Sequence, residues 1–240
     1  MRVNNLAVAR SEIFGDLAAK VACNLESALA LHANTMAMPF SLPRMIQMKL
    51  SDRDLSEEAF LRARSKALDG YGAIEGSLCT ICAALLGTTP VLAGIVFFRI
   101  TAARARNGAV EGLLKKRFGT VYNPFWNSIF KIMGSLDQRR NEIVHWRTAH
   151  NISHAGDHLS HEYALIPPNI WNLEASTPRI TVANMCEFEA KCDFASRAMN
   201  MFHMVVLLDH QFDDRQKWLA IFQQEQVYPP PEDHPLFRKQ

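Results

Sequence analysis

With 240 residues, a formal net charge of +2, 48% hydrophobic and 21% charged residues, the chain has ordinary globular usage, which excludes wholesale disorder. Its length suits one sizeable core with extensions. The charge is uneven: Arg99 to Arg147 holds ten Lys/Arg against Glu111, Asp137 and Glu142, a basic window that fits either a polyanion-facing surface or a solvated helix face.

Residues 8–32 alternate apolar and polar groups at helical spacing, and NTMAMPFSLPRM, with Pro39 and Pro43, reads as a connector. The charges come too early and too often for a secretory segment, so no export is expected. Five cysteines without a small-domain framework point to a reducing, cytoplasmic setting. Asp54 followed by Glu57 matches a capping box and opens a long periodic run through Phe60, Leu61, Ala67, Ile74, Leu78, Ile81 and Leu85. Cys79 and Cys82 form a C-x-x-C, but at i,i+3 in an apolar run they read as two core residues of one helix face.

Ser77 to Phe98 is free of charge for 22 residues, yet Gly87-Thr88-Thr89-Pro90 interrupts it with a helix stop, an N-cap and an N1 proline. Two buried helices are therefore expected, and no membrane partner. The second runs into the early hundreds. AVEGLLKKRFG gives a shorter helix closed by Gly119, and Asn123-Pro124 reads as the N-cap and N1 of the next. Between that helix and the last long one, marked by Met185, Phe188, Cys192, Ala195, Met199, Phe202 and Val206, EYALIPPNIWNLEASTPRIT allows at most a short β-hairpin. The expected fold is all-α, a bundle of four to five long helices: residues 1–53 form a helix and connector, 54–227 the bundle, and 228–240 a proline-rich tail, extended or disordered.

In the helix opening at Asn123, Phe125, Trp126, Ile129, Met133, Leu136, Ile143 and Val144 all fall within about 60° of Arg140. A permanently charged guanidinium in an apolar stripe demands an acid such as Glu75, a subunit seam, a wet cleft or an anion. Asn141 and His145 share a face at i,i+4 beside it.

The six residues Arg140-Asn141-Glu142-Ile143-Val144-His145 resemble the signature of the HEPN superfamily, an Arg followed by a polar residue with a His four to six residues on. The likeness extends over about residues 54–210 through a long helix before the motif and another after it. It implies a helical bundle that dimerises, with the Arg and His of both subunits facing one cleft and cutting RNA without a metal or cofactor. His145 would be the general acid/base, Arg140 the stabiliser of the phosphoryl oxygens, and Asn141 the residue that orients the histidine or the phosphate. Arg139 meets the looser spacing too. Arg139, Arg147 and His150 are candidate contacts to RNA phosphates. A role in phage defence, a toxin system or a stress response is implied, with an antitoxin or regulatory protein as a further partner. The tyrosine that toxins of this superfamily carry two residues after the His is replaced by Arg147, so control by its modification is not expected.

His150, His154, His158 and His161 would line up as a metal-binding ladder on a continuous helix, but Gly156 argues instead for a loop beside the cleft. No metal site is assigned. Two other readings stay open: a silent helical module that binds nucleic acid or protein, and a His-rich metal-binding helical protein.

Overall fold

The computed structural model describes residues 52–155, 158–170, 177–211 and 213–237. The helix expected over 8–32, its connector and Cys23 lie outside the described residues. The described elements belong to the compact unit Leu50–Gln240. They are mostly helical, with one two-stranded antiparallel sheet.

The frame is a pair of long helices, α1 (Asp52–Leu86) and a later one, Val182–Phe202. Along α1 the buried residues Phe60, Ala63, Ala67, Tyr71, Ile74, Leu78 and Ile81 recur every three or four positions and make one stripe. The facing stripe is Met185, Phe188, Cys192, Ala195, Met199 and Phe202. Gly70 lets the two backbones close: a Cβ there would stand 3.3 Å from the Cβ of Cys192, tight enough to force a shift. Burial in this seam pushes the Cys192 thiol up to about 12, so it packs as a neutral apolar group.

Asp54 is not the cap of α1. The helix already includes Asp52, and both carboxylates lie in its first turn, where the helix dipole favours them. After Gly87 the chain turns by 112° into α2 (Pro90–Phe97). As expected, Thr89 caps it, its hydroxyl oxygen accepting from the N–H of Leu92 at 3.3 Å. The expectation that both helices are buried fails for α2. One side of the helix, with Pro90, Ala93, Gly94 and Phe97, lies against the bundle, and of its side chains only Ala93 and Phe97 are buried. No single helix among the described residues is long and apolar enough to cross a membrane.

Next come α3 (Ala103–Phe118), ended at Gly119 with φ 62°, and α4 (Asn123–His145). Asn123 is the first residue of α4 rather than its cap, which is Tyr122. A hairpin follows at once, β1 (Arg147–Ala155) and β2 (His158–Ile166), in register His150 to Tyr163 and Ile152 to His161. The hairpin thus starts at Arg147, where a loop was expected, and Ile180 adds a single bridge to Leu165. The second long helix is α5 (Val182–Phe202), opened by a capping box in which Thr181 and Asn184 bond each other's backbone N–H. A π-helical turn over His203–Leu207 continues it, and α6 (Arg215–Ile221) follows.

From Tyr228 the chain runs as an irregular strap whose His234 and Leu236 reach back to the bundle. His234 accepts from the N–H of Leu236 at Nδ1 (3.1 Å), so its proton sits on Nε2, which donates to Gln226 Oε1 (3.1 Å). The ring therefore works neutral, and burial lowers its proton affinity, opposed by Asp233 and assisted by Lys217. Burial lowers that of His203 as well. Both pKa values are depressed on folding, so their stabilisation is full above the unfolded value of about 6.5 and is lost as the pH falls below it. The thermal midpoint should drop between about pH 7.5 and about pH 5.5, and less in His234→Gln than in the wild type. Equal drops would show that the strap is not the sensor.

Candidate functional site

The last two turns of α4 carry Arg139, Arg140, Asn141 and His145, and the apolar side of the same turns holds them in place. Phe125, Trp126, Ile129, Met133, Leu136 and Ile143 are buried, so the helix cannot rotate without exposing its whole stripe. Asn141 and His145 are left exposed on the other side.

Arg140 is half-buried, and among the described residues its position is answered by an aromatic ring rather than an acid. Its guanidinium lies 5.5 Å from the centroid of the Tyr71 ring on α1, and its Nη1 donates to Asn141 Oδ1 at 3.1 Å. Glu75, considered as its partner, is instead paired with Arg106 of α3. The Tyr71 hydroxyl donates to Asp137 Oδ1 at 2.5 Å. Burial first, and then that bond, hold the phenol well above its ordinary range. The platform under Arg140 is therefore a neutral ring fixed from below. Asn141 accepts from Arg140 at its carbonyl oxygen, and its amide nitrogen is a donor on an exposed residue.

Arg64 of α1 is the residue that pattern reading passed over. Its Nε donates to the carbonyl oxygen of Ile143 and its Nη2 to that of Val144, both at 3.2 Å. Helix ends leave their last carbonyls without intrahelical donors and carry partial negative charge. One guanidinium fork from a helix 79 residues earlier thus caps α4 under His145. Nothing in the local sequence signals this, because the partner acceptors are backbone atoms. Arg64→Ala should cost about 1.5–3 kcal/mol in a denaturant titration, and Arg64→Lys should recover only part of it, since an ammonium lacks the fork. Full recovery by lysine would mean that charge alone, and not the two bonds, holds the helix end.

The remaining candidates are placed differently. Arg139 is exposed and bridged to Glu142 at 2.8 Å. Arg147, at the base of the hairpin, donates from Nη2 to the carbonyl oxygen of Ile170 and is half-buried. His150 lies within the hairpin, stacked 4.4 Å from the ring of Tyr163, with its Nε2 3.0 Å from Nδ1 of His161. Tyr163 in turn packs on Phe60 and donates to Glu57, which pins this end of the hairpin to α1. The four histidines after His145 are thus on two paired strands, and among the described residues no three metal-ligating side chains gather.

Within one chain Arg140 and His145 do not converge on one point. They are five residues apart, about 7.5 Å along the axis and about 140° around it. Among the described residues the imidazole of His145 has no hydrogen-bond partner. One chain therefore offers a cation on an aromatic platform, an amide and a solvent-facing imidazole. No family model matches the chain, and neither a curated protein nor a solved structure matches it.

Proposed function

We propose that the chain is a metal-independent endoribonuclease of the HEPN type, assembled from two copies whose α4 ends face each other. The observation that supports it is the exposed Asn141 and His145 beside a half-buried Arg140 on a helix end tied down by Arg64. Bracing is what a group that must meet a phosphodiester at fixed distance requires.

The chemistry uses these groups directly. The RNA 2′-OH loses its proton to one His145 and attacks the adjacent phosphorus. The 5′-oxygen leaves with a proton from a second His145, giving a 2′,3′-cyclic phosphate and a 5′-hydroxyl. Arg140 places its charge against the phosphorane oxygens, and the Asn141 amide donates to one of them. A single imidazole cannot be base and acid on opposite sides of one phosphorus, so the second copy supplies the other.

The test is cleavage of end-labelled single-stranded RNA by the purified chain in EDTA. Products ending in 2′,3′-cyclic phosphate support the reading. Cleavage that stops in EDTA, or intact RNA with a protein that still binds it, would replace it with a metal-dependent enzyme or a silent binding module.

A further inference from the structure

The short helix α2 is apolar all round, Pro90-Val-Leu-Ala-Gly-Ile-Val-Phe97, a composition that belongs in a core or in lipid. Of its side chains only Ala93 and Phe97 are buried. Val91 is 77% exposed, Ile95 62% and Val96 66%, and Leu86, Leu92 and Phe98 are each more than half exposed. Six large aliphatic or aromatic side chains on one bend exceed the scattered apolar residues of an ordinary surface.

The surroundings are cationic. Between Leu86 and Arg117 the chain has six Lys/Arg and one acid, Glu111, which is paired with Lys115 at 2.6 Å. Arg99 and Arg104 are exposed on the way out of α2. Lys116 and Arg117 line a cleft with Leu85, which adjoins the exposed Leu86. Arg106 is paired with Glu75 and Lys115 with Glu111, and among the described residues Arg99, Arg104, Lys116 and Arg117 form an exposed rim.

From this pairing of an uncovered apolar helix with a basic rim we infer that α2 docks on an anionic lipid surface, lying in the headgroup region without crossing the bilayer. The apolar ridge sinks among acyl chains while Arg99, Arg104, Lys116 and Arg117 meet the headgroup phosphates. Charge complementarity selects this occupant. A second copy would bring the same cations against themselves across a two-fold axis, and five of the six exposed side chains are aliphatic, leaving Phe98 as a lone ring where an RNA strand needs successive stacking surfaces. The earlier expectation of no membrane partner rested on α2 being buried, which it is not. The patch is also remote from His145: Leu86 lies 22 residues beyond Arg64 on α1, roughly 33 Å at helical rise. The two surfaces are free to work together.

The test is co-sedimentation of the full chain with vesicles of phosphatidylcholine alone and of phosphatidylcholine with phosphatidylserine. Binding to the anionic vesicles should exceed that to the neutral ones by about tenfold or more. Val91→Asp and Ile95→Asp, at exposed positions and checked for unchanged circular dichroism, should each weaken it by about tenfold or more. Replacing Arg99, Lys116 and Arg117 together by Gln should abolish the preference for anionic vesicles, which gives an arm that leaves the apolar ridge untouched. No binding of the wild type, equal binding by the variants, or an Ile95→Asp change that splits an oligomer without altering vesicle binding would overturn the inference, the last by placing a second copy on α2.

Discussion

His145→Ala should lower RNA cleavage by about a hundredfold or more and leave the thermal midpoint where it was, because the imidazole is exposed and makes no hydrogen bond among the described residues. Arg140→Ala should lower cleavage comparably, but with a small stability loss of about 0.5–1 kcal/mol from the Tyr71 ring it covers. The contrast separates a chemical role from a structural one. The proposed dimeric site adds a third outcome: a large excess of His145→Ala mixed with the wild type should suppress activity per wild-type chain, since mixed dimers would hold one imidazole where the proposed reaction uses two. Equal activity in wild type, His145→Ala and Arg140→Ala would end the assignment.

The largest stability effect is expected at Phe202, where α5 passes into its π turn. Its ring is fully buried, stacked on Phe125 at 5.6 Å and 9°, and it meets Phe118, Tyr122, Trp126 and Phe222 edge-on or nearly so. Rings from α3, from the start of α4 and from the C-cap of α6 meet on this one side chain of α5. Phe202→Ala should cost about 3–5 kcal/mol, a large share of the ~5–15 kcal/mol that holds a typical domain together. Phe202→Leu, which keeps most of the volume, should cost markedly less. Chemical denaturation measures both, and an alanine cost below about 1 kcal/mol would mean that the cluster collapses without penalty.

Much of the helical frame was legible because burial and helical period coincide. The stripes of α1 and α5 follow from their spacing, and Thr89 and Gly119 act at the ends their chemistry suits. The hairpin was misplaced for a definite reason. Spacings of four, such as His150 to His154, put two side chains on one face of a helix and also on one face of a strand, so periodicity alone does not separate them. What decides is the partner strand, with Tyr163 anchored on Phe60 and Glu57. The exposure of α2 was hidden in the same way, since apolar composition states a preference for cover without saying whether the chain provides it.

At the candidate site, the sequence alone determined that Arg140, Asn141 and His145 share the end of one helix, because a 3.6-residue period and a buried stripe leave that helix one way to face. Only the tertiary structure decided what stands against them: the Tyr71 ring beneath Arg140, Arg106 claiming Glu75, and Arg64 capping α4. The physical reason is that the first set depends on intervals along one helix, whereas the second depends on contacts between segments such as α1 and α4. Those contacts arise when hydrophobic burial drives the helices together, and no local pattern specifies which polar groups then meet.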